Sequence, residues 1–246
     1  MSGIGLALRQ VRYENRAFWR NPAAAFFTFV FPLMFMVIFN VLIGRGSGEA
    51  SRFFTPAIIV FAVITATYTN LAMSVTIARD EGILKRIRGT PLPAWAYLAG
   101  RILHSVVIAL LLVIIVAAFG AVFYGVKVPW THLPELVLTL VLGAATFCAL
   151  GLALTAFVPN ADAAPAVVNA TVLPLLFISN VFIPLEGAPA WIDAVSSVFP
   201  VRHFADAMLD AYAGNGFAWS DLGVMAAWGV AGILVALRFF SWEPRR

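Results

Sequence analysis

The sequence predicts an all-α polytopic membrane protein, and three observations carry that prediction. Of 246 residues, 62% are hydrophobic and 11% are charged, less than half the roughly 25% charged content of an ordinary soluble domain. Mean hydropathy is +0.93, so a water-soluble fold would carry more apolar surface than its core could hold. Apolar runs of about 20 residues recur, the length at which a helix crosses hydrocarbon with its backbone paired internally.

Six spans are expected, at 23–44, 53–78, 102–126, 136–158, 163–185 and 217–240, within a single transmembrane domain covering 1–246. The sixth is the least clean. Asp221 and Arg238 bracket its apolar run, so full length needs Phe217 to Trp219 and a snorkelling arginine. An even number of crossings puts both termini on one side. Arg9, Arg12, Arg16, Arg20, Arg79, Lys85, Arg86, Arg88, Arg101, Arg238, Arg245 and Arg246 fall there, against Arg45, Arg52, Lys127 and Arg202 on the other. Basic residues mark the cytoplasmic face, so both termini are expected in the cytoplasm and the chain in the inner or plasma membrane. The pI near 9.6 then reflects topology, and no nucleic-acid partner is implied.

The N-terminal segment, 1–22, is interrupted by arginines and has no signal-peptide h-region. Arg9, Arg12, Arg16 and Arg20 recur every three or four residues, with Ile4, Leu8, Val11 and Phe18 opposite. That is an amphipathic helix lying in the interface against membrane lipid. Asn21-Pro22 ends it and begins the first span.

Between the second and third spans the chain reads "RDEGILKRIRGTPLPAWAYLAGR". Asp80 and Glu81 suit a helix start, Lys85, Arg86 and Arg88 suit its end, and Glu81–Lys85 is an i,i+4 pair. Ile83, Leu84 and Ile87 form a small apolar face for a docking partner. Gly89, Pro91 and Pro93 stop the helix, and Trp95 and Tyr97 mark re-entry through the interface.

These residues resemble the loop after the second span in membrane subunits of ABC type-2 exporters, in particular the daunorubicin-resistance-like multidrug branch. That branch has an acidic residue, Gly-x-Leu-Lys-Arg-Leu-Arg and then Thr-Pro-Leu-Pro. "WRNPAAAFFTFVFPLMFMVIFNVL" is similar to the family's entry into span one, and "FISNVFIPLEGAPAWIDAVSSVFPVRHFADAMLDAY" to its segment after span five. Asn180 departs from the pattern, where the family often has Gly. The resemblance implies a coupling helix formed by Asp80, Glu81, Ile83, Leu84, Lys85, Arg86 and Arg88, seated on a separate ABC ATP-binding subunit. It further implies a second permease subunit, in a homo- or heterodimer, and a multidrug efflux role of the kind linked to antibiotic resistance.

The chain has no Walker A sequence, so ATP and its Mg would belong to the partner, and this chain is expected to bind no cofactor and to be no enzyme. There is no catalytic nucleophile motif, and His104, His132 and His203 are scattered without metal-ligand spacing. Cys148 is the single cysteine and reads as a small core residue. Spans one to five hold no ionisable residue clearly at depth, which argues against ion-coupled carriage. His203, Asp206 and Asp210 sit at helical spacing in the outer segment, for capping or for gating.

Span two is rich in hydroxyls and amides, with Thr65, Thr69, Ala72 and Thr76 along one face; span five offers Asn169, Leu173, Leu176 and Asn180. Such residues glue helices together in lipid or line a path. In the resembled family the second and fifth spans flank a central path, which implies a substrate path at Tyr68, Asn70, Asn169 and Phe177. Its largely apolar character suits a lipophilic or amphipathic cargo, drug-like or lipid. A permease for a glycan or lipid-linked envelope component and a scaffold that transports nothing are the alternatives. Short pieces at 190–199 and 203–212, among Pro184, Pro189 and Pro200, read as outer re-entrant helices between spans five and six.

Overall fold

The computed structural model describes residues 3–42, 48–90, 92–185 and 187–243. Arg45, Pro91, Glu186, Arg245 and Arg246, with the side chains of Ile4 and Arg88, lie outside the described residues. Among the described residues every regular element is a helix. In order they are α1 (Gly3–Trp19), α2 (Pro22–Leu42), α3 (Gly48–Ile64), α4 (Asn70–Asp80), α5 (Ile83–Arg88), α6 (Ala94–Tyr124), α7 (Leu133–Leu154), α8 (Ala164–Phe177), α9 (Ala190–Ser196), α10 (Pro200–Ala213) and α11 (Trp219–Phe239). A wide π-helical turn, Thr65–Thr69, joins α3 to α4.

Among the described residues, five helical stretches are long and apolar enough to cross a membrane: Pro22–Leu42, Ala50–Asp80, Trp95–Tyr124, Trp130–Leu154 and Trp219–Phe239. The protein is therefore a multi-pass membrane protein. The fifth expected span, 163–185, takes a different form. α8 has 14 residues, about 21 Å at 1.5 Å per residue, short of the hydrocarbon thickness. Pro174 weakens its last turn, and Asn180 takes a left-handed conformation at φ 56°. Asn180 therefore leaves the helical face expected to carry it with Asn169. The left-handed turn also explains a position where glycine would serve, since Asn is among the few side chains that tolerate it.

The centre of the bundle is α3, the π turn and α4, packed by α2, α6, α7 and α10. Ile58 to Ile64 are all buried there, consistent with a span that touches protein on every side. Phe182, from the segment after α8, stacks on Phe35 with ring centres 5.4 Å apart and meets Phe61 at 5.2 Å. This returns the chain beyond α8 to the core. α7 and α11 pack through small residues: a Cβ on Gly232 would sit 3.0 Å from the Ala149 backbone, so glycine there permits the contact.

α1 does more than lie on a surface. It packs along the start of α6, where a Cβ on Gly100 would meet Gln10 at 2.6 Å. Arg9, Arg12, Arg16 and Arg20 are exposed as the wheel requires. Leu8, expected on the apolar face, is exposed, whereas Ala7 is buried and Glu14 faces inward. Glu14 meets Arg101 of α6 at 3.1 Å, which draws the packed face around by part of a turn.

Candidate functional site

The stretch expected to form one helix from Asp80 to Arg88 is broken at Gly82. α4 continues unbroken to Asp80, Glu81 and Gly82 turn, and α5 begins at Ile83. Gly82 has φ 70° with open space where a Cβ would stand, so backbone conformation alone requires glycine here. Glu81 and Lys85 lie on either side of this turn and form no ion pair; Arg86 instead donates to the Glu81 carbonyl at 3.2 Å.

α5 has two faces. Leu84 is fully buried with Leu71, Val75, Ala78, Tyr97 and Cys148, and Ile83 and Ile87 pack against the same cluster. The apolar stripe expected to receive a partner is thus occupied by the chain's own α4 and α6. Glu81, Lys85 and Arg86 are exposed. The knob is anchored by its leucine and isoleucines and presents charge outward.

Asp80 is not part of that exposed face. Its Oδ2 accepts from the Ala161 backbone N–H at 3.0 Å. Beside it, Arg79 is 1% exposed and donates Nη1 to the Thr155 carbonyl at 2.6 Å and Nη2 to the Val158 carbonyl at 2.5 Å. Those carbonyls lie just past the end of α7, in the connection that leads into α8. A guanidinium bridging orphan carbonyls at a helix C-terminus satisfies both hydrogen bonding and the macrodipole. Reading Arg79 as a topology charge missed this. Its signal was periodic: Ala72, Val75, Thr76 and Arg79 fall on one buried face of α4.

The sequence-predicted path residues do not converge. Tyr68 lines a cavity of about 510 Å³ enclosed by the π turn, α7, α8, the start of α10 and α11. Its walls are nearly all apolar, including Phe147, Leu175, Trp228 and Val235. Its polar feature is the Tyr68 hydroxyl, 2.8 Å from the Thr171 hydroxyl of α8. Asn70 faces elsewhere, into a polar cavity of about 200 Å³ among α1, α2, α4 and α6; at 3.6 residues per turn, two positions apart means roughly opposite faces. Asn169 is exposed on α8. Phe177 is half exposed and meets Phe182 edge-on at 5.1 Å.

At the end of the bundle opposite α5, Arg202 of α10 pairs with Asp193 at 2.6 Å and Asp206 at 3.3 Å. Asp206 also accepts from the Asn180 amide at 2.7 Å, and Asn180 accepts from the Leu185 N–H at 2.7 Å. The turn after α8 is thereby tied to α9 and α10. Burial raises the Asp206 carboxyl above its usual range, against the lowering effects of Asn180 and Arg202. His203 pairs with Asp221 at 2.6 Å rather than with Asp206, and Asp210 receives the Asn215 amide at 2.8 Å.

The chain is thus an all-helical multi-pass bundle with a short charged knob folded onto its central helix. Residues 9–212 match the family described as ABC-2 type transporter, and the chain belongs to that family. Among curated relatives, it is 26% identical to the daunorubicin resistance ABC transporter permease protein DrrB1 of Streptomyces coeruleorubidus, over 91% of this chain and 80% of that protein. It is 26% identical to the inner membrane transport permease YadH of Escherichia coli K12, over 85% and 82% of the two chains. With the putative transport permease YvfS of Bacillus subtilis it shares 21% identity, over 87% and 89%. These relatives are transport permeases and not enzymes.

Proposed function

We propose that this chain is the membrane-spanning half of an ATP-driven exporter. It works with a second permease subunit, like or unlike itself, and with separate subunits that bind ATP and its Mg. The chain crosses the membrane six times, α8 with its following turn counting as the fifth crossing and α9–α10 folding back from the far side. Both termini and α5 lie in the cytoplasm of a cell whose inner or plasma membrane holds the protein. The cargo is lipophilic or amphipathic, in keeping with the apolar cavity beside α8.

The observation that carries this reading is the joint at Arg79 and Asp80. The exposed face of Glu81, Lys85 and Arg86 is the coupling surface for the ATPase. Ile83 and Leu84 seat α5 on the bundle. The joint hands a displacement of α5 directly to α4 and to the chain entering α8. The π turn that runs into α4 supplies Tyr68 to the cavity wall and α8 supplies Thr171, so closure of the ATPase subunits alters the cavity between them.

Gentle solubilisation of the tagged chain from its host, followed by mass spectrometry, tests the proposal. A P-loop ATPase is expected at about one copy per chain. Scrambling Glu81, Lys85 and Arg86 is expected to remove it while leaving membrane insertion intact. An unscrambled chain that purifies without any ATPase, under conditions that keep other membrane complexes whole, would favour a scaffold that transports nothing.

A further inference from the structure

The polar cavity among α1, α2, α4 and α6 takes no part in the joint or in the apolar cavity, yet it is well furnished. Glu14, Asn21, Asn70, Ser74, Arg101, His104 and Ser105 face it. Arg101 and His104 are i,i+3 on α6, and Asn70 and Ser74 are i,i+4 on α4, so each pair looks inward from one helix face. The beginning of α2 lines it through Asn21 and Ala24, bringing the positive end of a 21-residue helix.

The hydrogen-bond inventory of this cavity is lopsided. Glu14, the acidic residue on its wall, already accepts from Gln10 Nε2 at 2.8 Å and Arg101 Nε at 3.1 Å. Arg101 Nη1 and His104 Nδ1 are buried with no hydrogen-bond partner. A guanidinium has five N–H donors and no acceptor; Glu14 meets Arg101 at Nε, and a buried N–H group left without a partner is costly. The site therefore lacks an acceptor rich in oxygen. A cation would be repelled by Arg101 and find Glu14 already engaged.

We propose that this cavity holds the phosphate of an anionic phospholipid from the leaflet beside α1. The nearby surface suits the rest of such a molecule. Ala24, Phe27 and Phe31 follow one stripe of α2, and both phenylalanines are exposed, leaving a track for an acyl chain. Phe18 lines the cavity and meets Phe29 and Trp19. Exposed Trp19 and Trp95 mark the headgroup level. The exposed Arg9, Arg12, Arg16 and Arg20 of α1 concentrate anionic lipid at that level. Arg101 and His104 then hold the phosphate, with the amides of Asn21 and Asn70 as further donors.

Native mass spectrometry of the purified full-length chain, offered phosphatidylglycerol, diacylglycerol or glycerol 3-phosphate, tests the assignment. Phosphatidylglycerol is expected to stay bound, diacylglycerol to leave, and glycerol 3-phosphate to compete poorly. Arg101→Gln is expected to weaken retention about tenfold or more, and Arg101→Lys to keep most of it. Glu14→Gln frees Arg101 and is expected to tighten retention. That opposition separates a ligand site from a merely structural ion pair, in which both substitutions act alike. Thermal unfolding of each variant confirms that it is folded. Equal loss in Glu14→Gln and Arg101→Gln, unchanged retention in folded Arg101→Gln, diacylglycerol held as well as phosphatidylglycerol, or glycerol 3-phosphate displacing the lipid at equal concentration would each overturn the proposal.

Discussion

Each end of the bundle is gathered by one arginine, and the two work differently. Arg79 is buried, and its guanidinium grips backbone, bridging the end of α4 to the carbonyls that follow α7. Solvent does not screen that contact. Arg202 is partly exposed and holds two carboxylates, Asp193 and Asp206, along with the Asp193 carbonyl and the Ser196 hydroxyl. Salt weakens such pairs. A joint that passes on a push must be stiff, whereas one that opens for cargo must break at low cost. The distribution of the two arginines matches those duties in the proposed cycle.

Five substitutions, in four experiments, probe this contrast. The largest effect is expected from Arg79→Met, which strips both carbonyls of their donor and should cost about 3 kcal/mol. Reversible unfolding in mixed micelles measures it, and a loss below about 1 kcal/mol would abolish the distinction between the two ends. Next comes Gly151→Ala. Its new Cβ would stand 2.8 Å from the Tyr68 carbonyl oxygen and 3.1 Å from the Tyr68 Cα. Backbone must shift at the π turn, for about 2 kcal/mol of destabilisation in the same assay.

Smaller again is the link across the apolar cavity. A double-mutant cycle with Tyr68→Phe and Thr171→Val should return a coupling of about 0.6 kcal/mol, the usual size of a hydrogen bond between helices in a membrane. The smallest effect is expected from Asp206→Asn, within about 0.5 kcal/mol at pH 7. Its signature is the pH profile. Burial raises the folded-state pKa of Asp206, so the folded chain holds that proton more tightly than the unfolded chain. Stability should fall as pH rises from the ordinary carboxylate range through the raised value. Asp206→Asn removes that slope, as thermal unfolding from pH 4 to 7 would record.

What the sequence makes legible is what local pattern controls. Hydropathy finds the five long helices, and a spacing of three and four finds the exposed arginines of α1. Gly89 announces the end of the knob, whereas the break at Gly82 falls inside the helix expected from Asp80 to Arg88. The stop of α8 at Phe177 is hidden because the apolar run continues to Leu185; a left-handed Asn180 ends the helix, and composition does not register it. The role of Arg79 depends on carbonyls 76 and 79 residues away, a relation no window contains. The same applies to the stripe on α5, whose occupant comes from α4 and α6, and to Asn70, which lies two residues from Tyr68 yet faces a different cavity. Glu14 is the least legible residue: one carboxylate among the arginines of α1 gives no hint that Arg101 will draw it inward.

The central claim is that motion enters at α5 and reaches α8 through the Arg79 joint. The direct test is to reconstitute the chain with the proposed ATPase partner and measure hydrolysis and export together in Arg79→Lys, which keeps the charge and loses the two-pronged grip. The account predicts that hydrolysis stays within about twofold while export falls about tenfold or more, the signature of an engine disconnected from its gate. Equal retention of both activities, or an equal loss of both in a variant that still binds its partner, would contradict it.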